Sequence, residues 1–400
     1  MEPLMYLELT DDLLDYRNRI REHIAAHRPP MNRLPGTRSP KPADLPVYRQ
    51  WCASLFSAGF VGADWPEEWG GRADHTALQD FVLDVELAQA KTPRPIGAYN
   101  LISGALLASG TQEQKAKFLP RIRQFDDLWC QLFSEPDAGS DLASLRTKAR
   151  REGDDWVVSG QKVWTTHAHI ADFGFLLART DPAVRKHAGI TAFVVDMQTP
   201  GITVRPLREI TGSSDFNEVF FDEVRIPREN MIGAAGEGWA IARSALAHER
   251  SQSQREDSIA DAVRQLVQIA ADSPRDGRPA SEYSEVRQRI GSFFARAQVS
   301  DLLGFKGLLK SADGVSDVGD SPVSKVVFTE ANLDIATYAL ELQGNRGVLD
   351  SPDEEVLDGG RWQEAFLYAR GFTISAGSNE IMRNLIAERA LRLPRDPAAG

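Results

Sequence analysis

The feature of this sequence that most constrains its fold is a change of hydrophobic period along the chain. Between residues 128 and 232, short runs of β-branched and aromatic residues are bounded by Gly, Pro, Asp or Asn, as is typical of antiparallel strands. On both sides of this block, apolar residues recur at the spacing of amphipathic helices. We therefore predict an α+β fold: an N-terminal α-helical domain (1–125), a middle antiparallel β-domain (126–235) and a C-terminal four-helix bundle (236–400).

The individual elements can be placed from the same pattern. Helices are predicted at 8–27, 47–58, 75–91, 95–109, 239–271, 282–310, 322–344 and 361–391, the last broken at Ala376-Gly377, with Gly110-Thr111 capping a further helix. Strands are predicted at 129–133, 156–159, 173–177, 190–195, 202–204 and 218–224. Strands do not alternate with helices, and no G-x-G-x-x-G motif follows a strand, so a Rossmann-type dinucleotide site is disfavoured.

Charge and cysteine content exclude several classes of partner. The net charge is −11, and Lys and Arg are scattered, which argues against nucleic acid or an anionic membrane. Two cysteines, Cys52 and Cys130, cannot form a disulfide framework, and no C-x-x-C pair offers a metal motif. No apolar window approaches the length of a membrane span, and the N-terminus does not read as a signal peptide, so a cytoplasmic chain is expected.

The segment at 131–166 carries the chemistry-bearing motifs. Its loop S-E-P-D-A-G-S-D begins at Ser134, and its turn residues can aim backbone N–H groups and the hydroxyls of Ser134 and Ser140 in one direction. Trp164 follows, with the hydroxyl of Thr166 two residues further on. A flat indole near a hydroxyl is what the binding of a planar, hydrogen-bonding ring system would need. On these residues alone, a tight loop and an ordinary core tryptophan are equally good explanations.

Together, the two motifs resemble the acyl-CoA dehydrogenase family, whose pattern is an apolar strand, S/T-E-P-x-A-G-S-D and then G-x-K-x-W-I/T-T/S. Further likeness lies in W-P-x-E-x-G-G at 65–71 and in the G-T-x-E-Q-K run that begins at Gly110. The resemblance implies α,β-desaturation of an acyl-CoA, FAD as cofactor, a tetramer, and an electron-transfer flavoprotein as electron acceptor. By position, it implies cofactor contacts from Gln131, Phe133, Ser134, Gly139, Ser140, Trp164, Thr166, Gln343, Gly344, Ser378 and Glu380, and substrate contacts from Ser140 and Arg250.

The general base departs from the commonest family pattern. The Y-E-G-T motif of many members corresponds here to 375–378, where Ala376 stands in place of the glutamate and cannot accept a proton. An apolar stripe through Trp239, Ala242 and Ala245 leads to Glu249, and a glutamate on a buried helix face is costly unless it is paired or functional. Glu249-Arg250 resembles a branch of the family whose base lies on this helix. The alternative is a structural ion pair between Glu249 and Arg243 or Arg250.

Two further departures bear on assembly. The loop that begins at Gln343-Gly344 resembles one that reaches the FAD of a neighbouring subunit, but it has one residue more between its glycines. Ser273 and Asp276 replace the Arg and Phe of a family R-x-x-F-G segment, which removes a contact with the FAD pyrophosphate. Besides a homotetrameric enzyme, the alternatives are a base-less subunit of a heterotetramer with a paralogue, a flavin monooxygenase, and an acyl-carrier-protein dehydrogenase on the same fold.

Overall fold

The computed structural model describes residues 9–31, 38–253, 259–312, 319–349 and 356–395, except for the side chains of 247–253, 308, 311–312 and 358. Within these ranges the chain divides into two compact units, one spanning Leu9–Gln252 and the other formed by Ser253–Gly400. None of the helices in these ranges combines the length and hydrophobicity needed to cross a membrane.

The helices of the first unit pack around a large aromatic core. They are α1 (Asp11–His27), α2 (Leu45–Ser57), α3 (Ala77–Gln89), α4 (Tyr99–Ser109), α5 (Gln112–Arg123) and α6 (Gly238–Ser253). Trp51, Phe56 and Phe118 are fully buried between them. Helix α5 begins at the predicted cap, because Thr111 Oγ1 accepts the Gln114 N–H at 3.2 Å while Gln114 Oε1 accepts the Thr111 N–H at 3.0 Å.

One eight-stranded sheet follows α5. Its strands are β1 (Trp129–Leu132), β2 (Lys148–Glu152), β3 (Asp155–Thr166), β4 (Phe173–Arg179), β5 (Ile190–Asp196), β6 (Ile202–Pro206), β7 (Phe216–Ile226) and β8 (Met231–Ile232). The order is β6-β7-β3-β2-β4-β5-β8, and β1 pairs with β4. The predicted β block and its flanking helices are therefore confirmed.

Two details of the sheet differ from expectation. Strands β1 and β2 both run parallel to β4, so the antiparallel prediction is wrong for these two pairs. The chain passes through β2 and β3 before it returns to β4, which provides the long connection that parallel strands need. Strand β2 was not predicted because four of its five residues are charged and Ala149 alone is buried.

The second unit is a bundle of four helices with a short fifth helix. The four are α7 (Ile259–Asp272), α8 (Ser284–Ala312), α9 (Asp320–Gln343) and α10 (Arg361–Ile374), and the fifth is α11 (Asn379–Leu385). A short hairpin follows α7, and its two strands, β9 (Pro274–Arg275) and β10 (Arg278–Pro279), have two residues each. The predicted break in the last helix is confirmed, since Ala376 and Gly377 have φ of +53° and +89°.

One predicted helix, 239–271, spans both units. The structure describes it as α6 and α7, which belong to different units, and residues 254–258 lie outside the described ranges. Both described parts are helical, and the continuity of one helix through 254–258 stays a prediction.

Candidate active site

The two motifs that the sequence singled out meet at one junction in the first unit. Lys162 Nζ of β3 donates to Phe133 O at 2.9 Å and to Glu135 Oε1 at 2.8 Å. The Val163 N–H donates to Ser134 O at 2.9 Å. These contacts join β3 to the loop after β1 across 27 residues of sequence.

Lys162 and Glu135 form a buried ion pair that fixes the loop. Lys162 is 0% exposed and Glu135 is 7% exposed. Burial lowers the pKa of Lys162 from 10.5 to about 8, although the Glu135 carboxylate opposes this change. Burial also acts to raise the pKa of Glu135, but the Lys162 ammonium and the N–H of Arg146 and of Thr147, at 2.6 and 2.9 Å, outweigh it and hold that pKa below its ordinary value. Sequence reasoning missed this pair, although both residues stand inside the two motifs.

A bulge in β3 presents the Trp164 indole to solvent. The register between β3 and β7 shifts between Lys162 and Thr165, and Trp164 lies in the left-handed region with φ of +58°. Its side chain is 61% exposed, whereas the next residue, Thr165, is 1% exposed. The ring of Phe216 supports the indole edge-on, with the centroids 6.0 Å apart. Trp164 is therefore not a core residue of this unit.

The other predicted residues of this segment surround the junction in different environments. Phe133 is buried against Phe175, with ring centroids 5.1 Å apart. Ser134 of the loop and Thr166 at the end of β3 are half-buried. An exposed flat indole beside half-buried hydroxyls fits a planar ring with hydrogen-bonding edges, such as a flavin.

Three more predicted residues lie around this loop. Gln131 is half-buried in β1, in register with Phe175 of β4. Gly139 and Ser140 lie exposed at the loop's far end, and a Cβ on Gly139 would meet no atom within 4 Å. The space next to Gly139 is therefore open to a ligand.

Helix α6, which carries the predicted base, is rooted on the sheet of the same unit. A Cβ on Gly238 would lie 2.5 Å from the Thr191 carbonyl carbon of β5, so only glycine permits this contact. Ile241, Ala242 and Ala245 are buried against the core. Residue 249 follows Ala245 by one helical turn, but the side chains of Glu249 and Arg250 lie outside the described residues.

In the second unit, Gln343 and Gly344 border a polar cavity of about 220 Å³. Its lining consists of Ser273, Pro274 and residues 342–346. Ser273 Oγ and both amide atoms of Gln343 have no hydrogen-bond partner among the described residues, although the two side chains are only 5% and 6% exposed. Buried polar atoms are almost always paired, so this cavity suits a ligand that both donates and accepts hydrogen bonds.

Ser378 and Glu380 lie at the other end of α9 from this cavity. Ser378 caps α11, and its Oγ accepts the Ile381 N–H at 3.3 Å. Hydrogen bonds from the Glu380 N–H and the Ser378 hydroxyl lower the pKa of the exposed Glu380. Lys325, near the start of α9, donates to Gly377 O in the turn that precedes α11. Gln343 is the last residue of α9 and lies about 27 Å further along the helix axis. One copy of the chain therefore does not bring Gln343 and Ser378 together.

Comparison with known proteins gives matches along nearly the whole chain. Residues 10–126, 130–224 and 236–391 match the models of the acyl-CoA dehydrogenase N-terminal, middle and C-terminal domains. The chain is 38% identical over 354 residues to acyl-CoA dehydrogenase IpdE1 of Mycobacterium tuberculosis, covering 87% of this chain and 88% of that protein.

Two solved structures are similar over almost their full length. A chain of the ChsE4-ChsE5 complex from Mycobacterium tuberculosis superposes with a TM-score of 0.83 at 29% identity, covering 98% of this chain and 100% of that one. A chain of the Tcur3481-Tcur3483 steroid ACAD superposes with a TM-score of 0.83 at 26% identity, with the same coverage.

Proposed function

This chain belongs to the acyl-CoA dehydrogenase family and is an oxidoreductase, and we propose from that premise that it forms the α,β double bond of an acyl-CoA thioester. The observation that carries the proposal is the junction at Lys162. There, a buried ion pair fixes the loop at 133–140 against a strand whose bulge exposes Trp164. That arrangement prepares a flat surface with polar edges without requiring a large rearrangement on binding.

FAD, when bound, accepts the β-hydrogen as hydride and so supplies the redox chemistry that side chains cannot. The exposed indole of Trp164 and the hydroxyls of Ser134 and Thr166 hold and orient the ring, while Gly139 leaves room beside it. By the family resemblance, Phe133, Gln131 and Ser140 would also contact FAD, and so would Gln343, Gly344, Ser378 and Glu380. Because Gln343 and Ser378 lie at opposite ends of α9, these two residues serve different FAD molecules of an oligomer.

Glu249 is the general base of the proposed reaction. It removes the α-proton as the β-hydride leaves, and the two electrons of the broken α-C–H bond become the new double bond. Its support is its place in α6, one turn beyond the buried Ala245 on a helix rooted against β5, together with the absence of a carboxylate at Ala376. Arg250 beside it contributes to substrate binding. The Ser375 N–H donates to Gly371 O at 2.8 Å, so of the 375–377 backbone it is the N–H groups of Ala376 and Gly377 that polarise the thioester oxygen, which makes the α-proton more acidic.

Anaerobic bleaching of the flavin absorbance by an acyl-CoA tests this proposal. Glu249→Gln is nearly isosteric but cannot accept the proton, so bleaching should slow by roughly 10²–10⁴-fold while bound flavin is retained. Glu22→Gln, which changes an exposed glutamate of α1, is the matched control and should bleach at the wild-type rate. A Glu249→Gln protein that bleaches normally would place the base elsewhere.

The substrate and the electron acceptor are addressed by the same assay. The panel is butyryl-, isobutyryl-, octanoyl- and palmitoyl-CoA and the CoA thioester of a steroid carboxylic acid, the last because one similar structure is described as a steroid ACAD. We propose that the reduced flavin is reoxidised by an electron-transfer flavoprotein. Fast reoxidation by O₂ alone would favour a flavin monooxygenase, and preference for a carrier-bound acyl group would favour the acyl-carrier-protein dehydrogenase.

A second candidate function, a subunit that shares its FAD sites with a paralogue, is favoured by the cavity at Gln343. Ser273 in place of the family arginine removes a cation there, and three buried polar atoms find no hydrogen-bond partner in the described part of the chain. One similar solved structure is a complex of two differently named chains. We therefore propose a tetramer, with a heterotetramer favoured over a homotetramer.

Flavin stoichiometry distinguishes the two assemblies. A homotetramer should retain an FAD for every chain when this protein is purified alone. A heterotetramer should gain flavin only when the chain is co-purified with its paralogue, and Glu249→Gln should then decide whether this chain supplies the base or only completes its partner's site.

A further inference from the structure

A single lysine of α9 holds the turn between α10 and α11 from both sides. Lys325 Nζ donates to Thr373 O at 3.3 Å, to Gly377 O at 2.9 Å and to Asn379 Oδ1 at 2.7 Å. Thr373 lies in the last turn of α10, and Asn379 is the first residue of α11. An ammonium group has three N–H donors, so all three are directed at this one turn.

The turn has a conformation that needs such support. Ala376 is a non-glycine residue at φ of +53°, a backbone state that persists only where the surroundings enforce it. The buried Asn379 is fixed in turn by Thr329 Oγ1, which donates to its Oδ1 at 3.1 Å. A cation at the carbonyl end of α10 is also favoured by the dipole of that helix.

We propose that Lys325 is a positioning residue for the reaction and sets the direction of the Ala376 and Gly377 backbone N–H groups that polarise the substrate thioester. This inference rests on the function proposed above. Oxyanion donors act only when they lie about 2.7–3.1 Å from the developing charge, and a misplacement of about 1 Å costs on the order of 10²-fold in rate.

The charge on Lys325 gives the turn a pH dependence. Burial lowers the pKa of Lys325 from 10.5 to about 8, although Glu380 of α11 and Glu330 of α9 oppose this change. Glu330 is itself paired with Arg383 of α11, while α10 faces the ammonium with the carbonyl of Thr373. Above pH 8 the amine keeps only two N–H donors for three acceptors, and the turn loosens.

Backbone amide exchange on the full chain tests the clamp without any ligand. In Lys325→Met, the hydrogen-bonded amides of Ser375, Ile381 and Met382 should exchange about tenfold faster, because their bonds depend on this turn. Lys310→Met is the matched control. Lys310 is a lysine of α8 that forms an ion pair with Asp320 of α9 at 2.6 Å, so the same substitution removes a lysine contact of the bundle other than the one at the turn. Equal exchange at these amides in Lys325→Met and wild type would overturn the inference.

Kinetics of the flavin-loaded protein test the positioning role. With the panel acyl-CoA that bleaches wild type fastest, kcat of Lys325→Met should fall on the order of 10²-fold. The Kd of the thioether analogue, in which CH₂ replaces the carbonyl, should stay within about twofold because nothing in it can be polarised. A parallel loss of thioether binding and kcat would show a merely structural role and refute the proposal.

Lys325→Arg keeps the test open should Lys325→Met fail to fold. It should recover most of the wild-type kcat and abolish the fall in kcat that wild type shows above pH 8. A Lys325→Arg profile that still falls there would refute the role of the lysine charge. A wild type that no panel member bleaches would refute the proposed function, and the exchange measurement would then decide whether Lys325 holds the turn.

Discussion

Replacing Lys162 by methionine should destabilise the first unit by leaving a buried carboxylate without its counter-ion. Breaking a buried ion pair by removing one partner costs about 3–5 kcal/mol. Glu135 keeps the N–H groups of Arg146 and Thr147 at 2.6 and 2.9 Å, so we expect the low end, about 3 kcal/mol. For a unit of this size that corresponds to a fall in Tm of roughly 6–12 °C.

The assay is urea unfolding of the full chain, followed by tryptophan fluorescence, at several pH values. Burial is the largest single influence on the pKa of Glu135, so we expect that removal of the Lys162 ammonium raises this pKa above its unfolded value. In Lys162→Met, the protonated, neutral Glu135 is therefore tolerated in the core at low pH, and the unfolding free energy falls as pH rises and Glu135 ionises. In wild type the pKa of Glu135 is lowered, so its contribution is instead lost as pH falls below about 4.5. The gap between the two proteins should therefore widen from pH 4.5 to pH 7.

The double variant Glu135→Gln/Lys162→Met provides the refutation. Glutamine is neutral, and its Oε1 can still accept one of the two loop N–H groups, so the double variant should lose only about 1 kcal/mol. It should thus be more stable than Lys162→Met alone. Were the double variant as unstable as the single one, an unpaired buried charge would not be the source of the loss, and the account of this junction would be wrong.

Three further substitutions test the exposed indole, the packing at two glycines and the cap of α5. Trp164→Ala should change the unfolding free energy by no more than about 0.5 kcal/mol, because the residue is 61% exposed. The same substitution should weaken FAD retention several-fold, as measured by flavin fluorescence after gel filtration. Equal retention in Trp164→Ala and wild type would show that Trp164 is not part of the site. Gly71→Ala should lower the stability measured by thermal melting by about 3 kcal/mol, because its Cβ would lie 1.5 Å from Trp65 O. Gly139→Ala should melt like wild type, because its Cβ would meet no atom within 4 Å. Similar melting of the two variants would contradict this packing. Thr111→Ala should cost about 1 kcal/mol in urea unfolding through loss of the α5 capping box, and Thr111→Ser should recover most of it.

Local pattern predicted much of this fold because its causes are local. Helical period, the Thr111 cap and the turn residues around Gly377 act within a few positions of each other, so the elements and the α, β, α order could be read directly. The two motifs at Ser134 and Trp164 could be identified for the same reason. The placement of Glu249 as the base is still a prediction.

Contacts between distant residues could be decided only by the tertiary structure. Residues 148–152 form a strand because neighbours on both sides pair with them, despite their charge. The ion pair of Lys162 with Glu135, the left-handed Trp164 and the grip of Lys325 on the turn at Gly377 each join segments that no short-range period connects. The spacing of residues in the sequence reflects interactions between residues that are close along the chain. Burial and electrostatic interactions depend instead on which distant segments the completed fold places side by side.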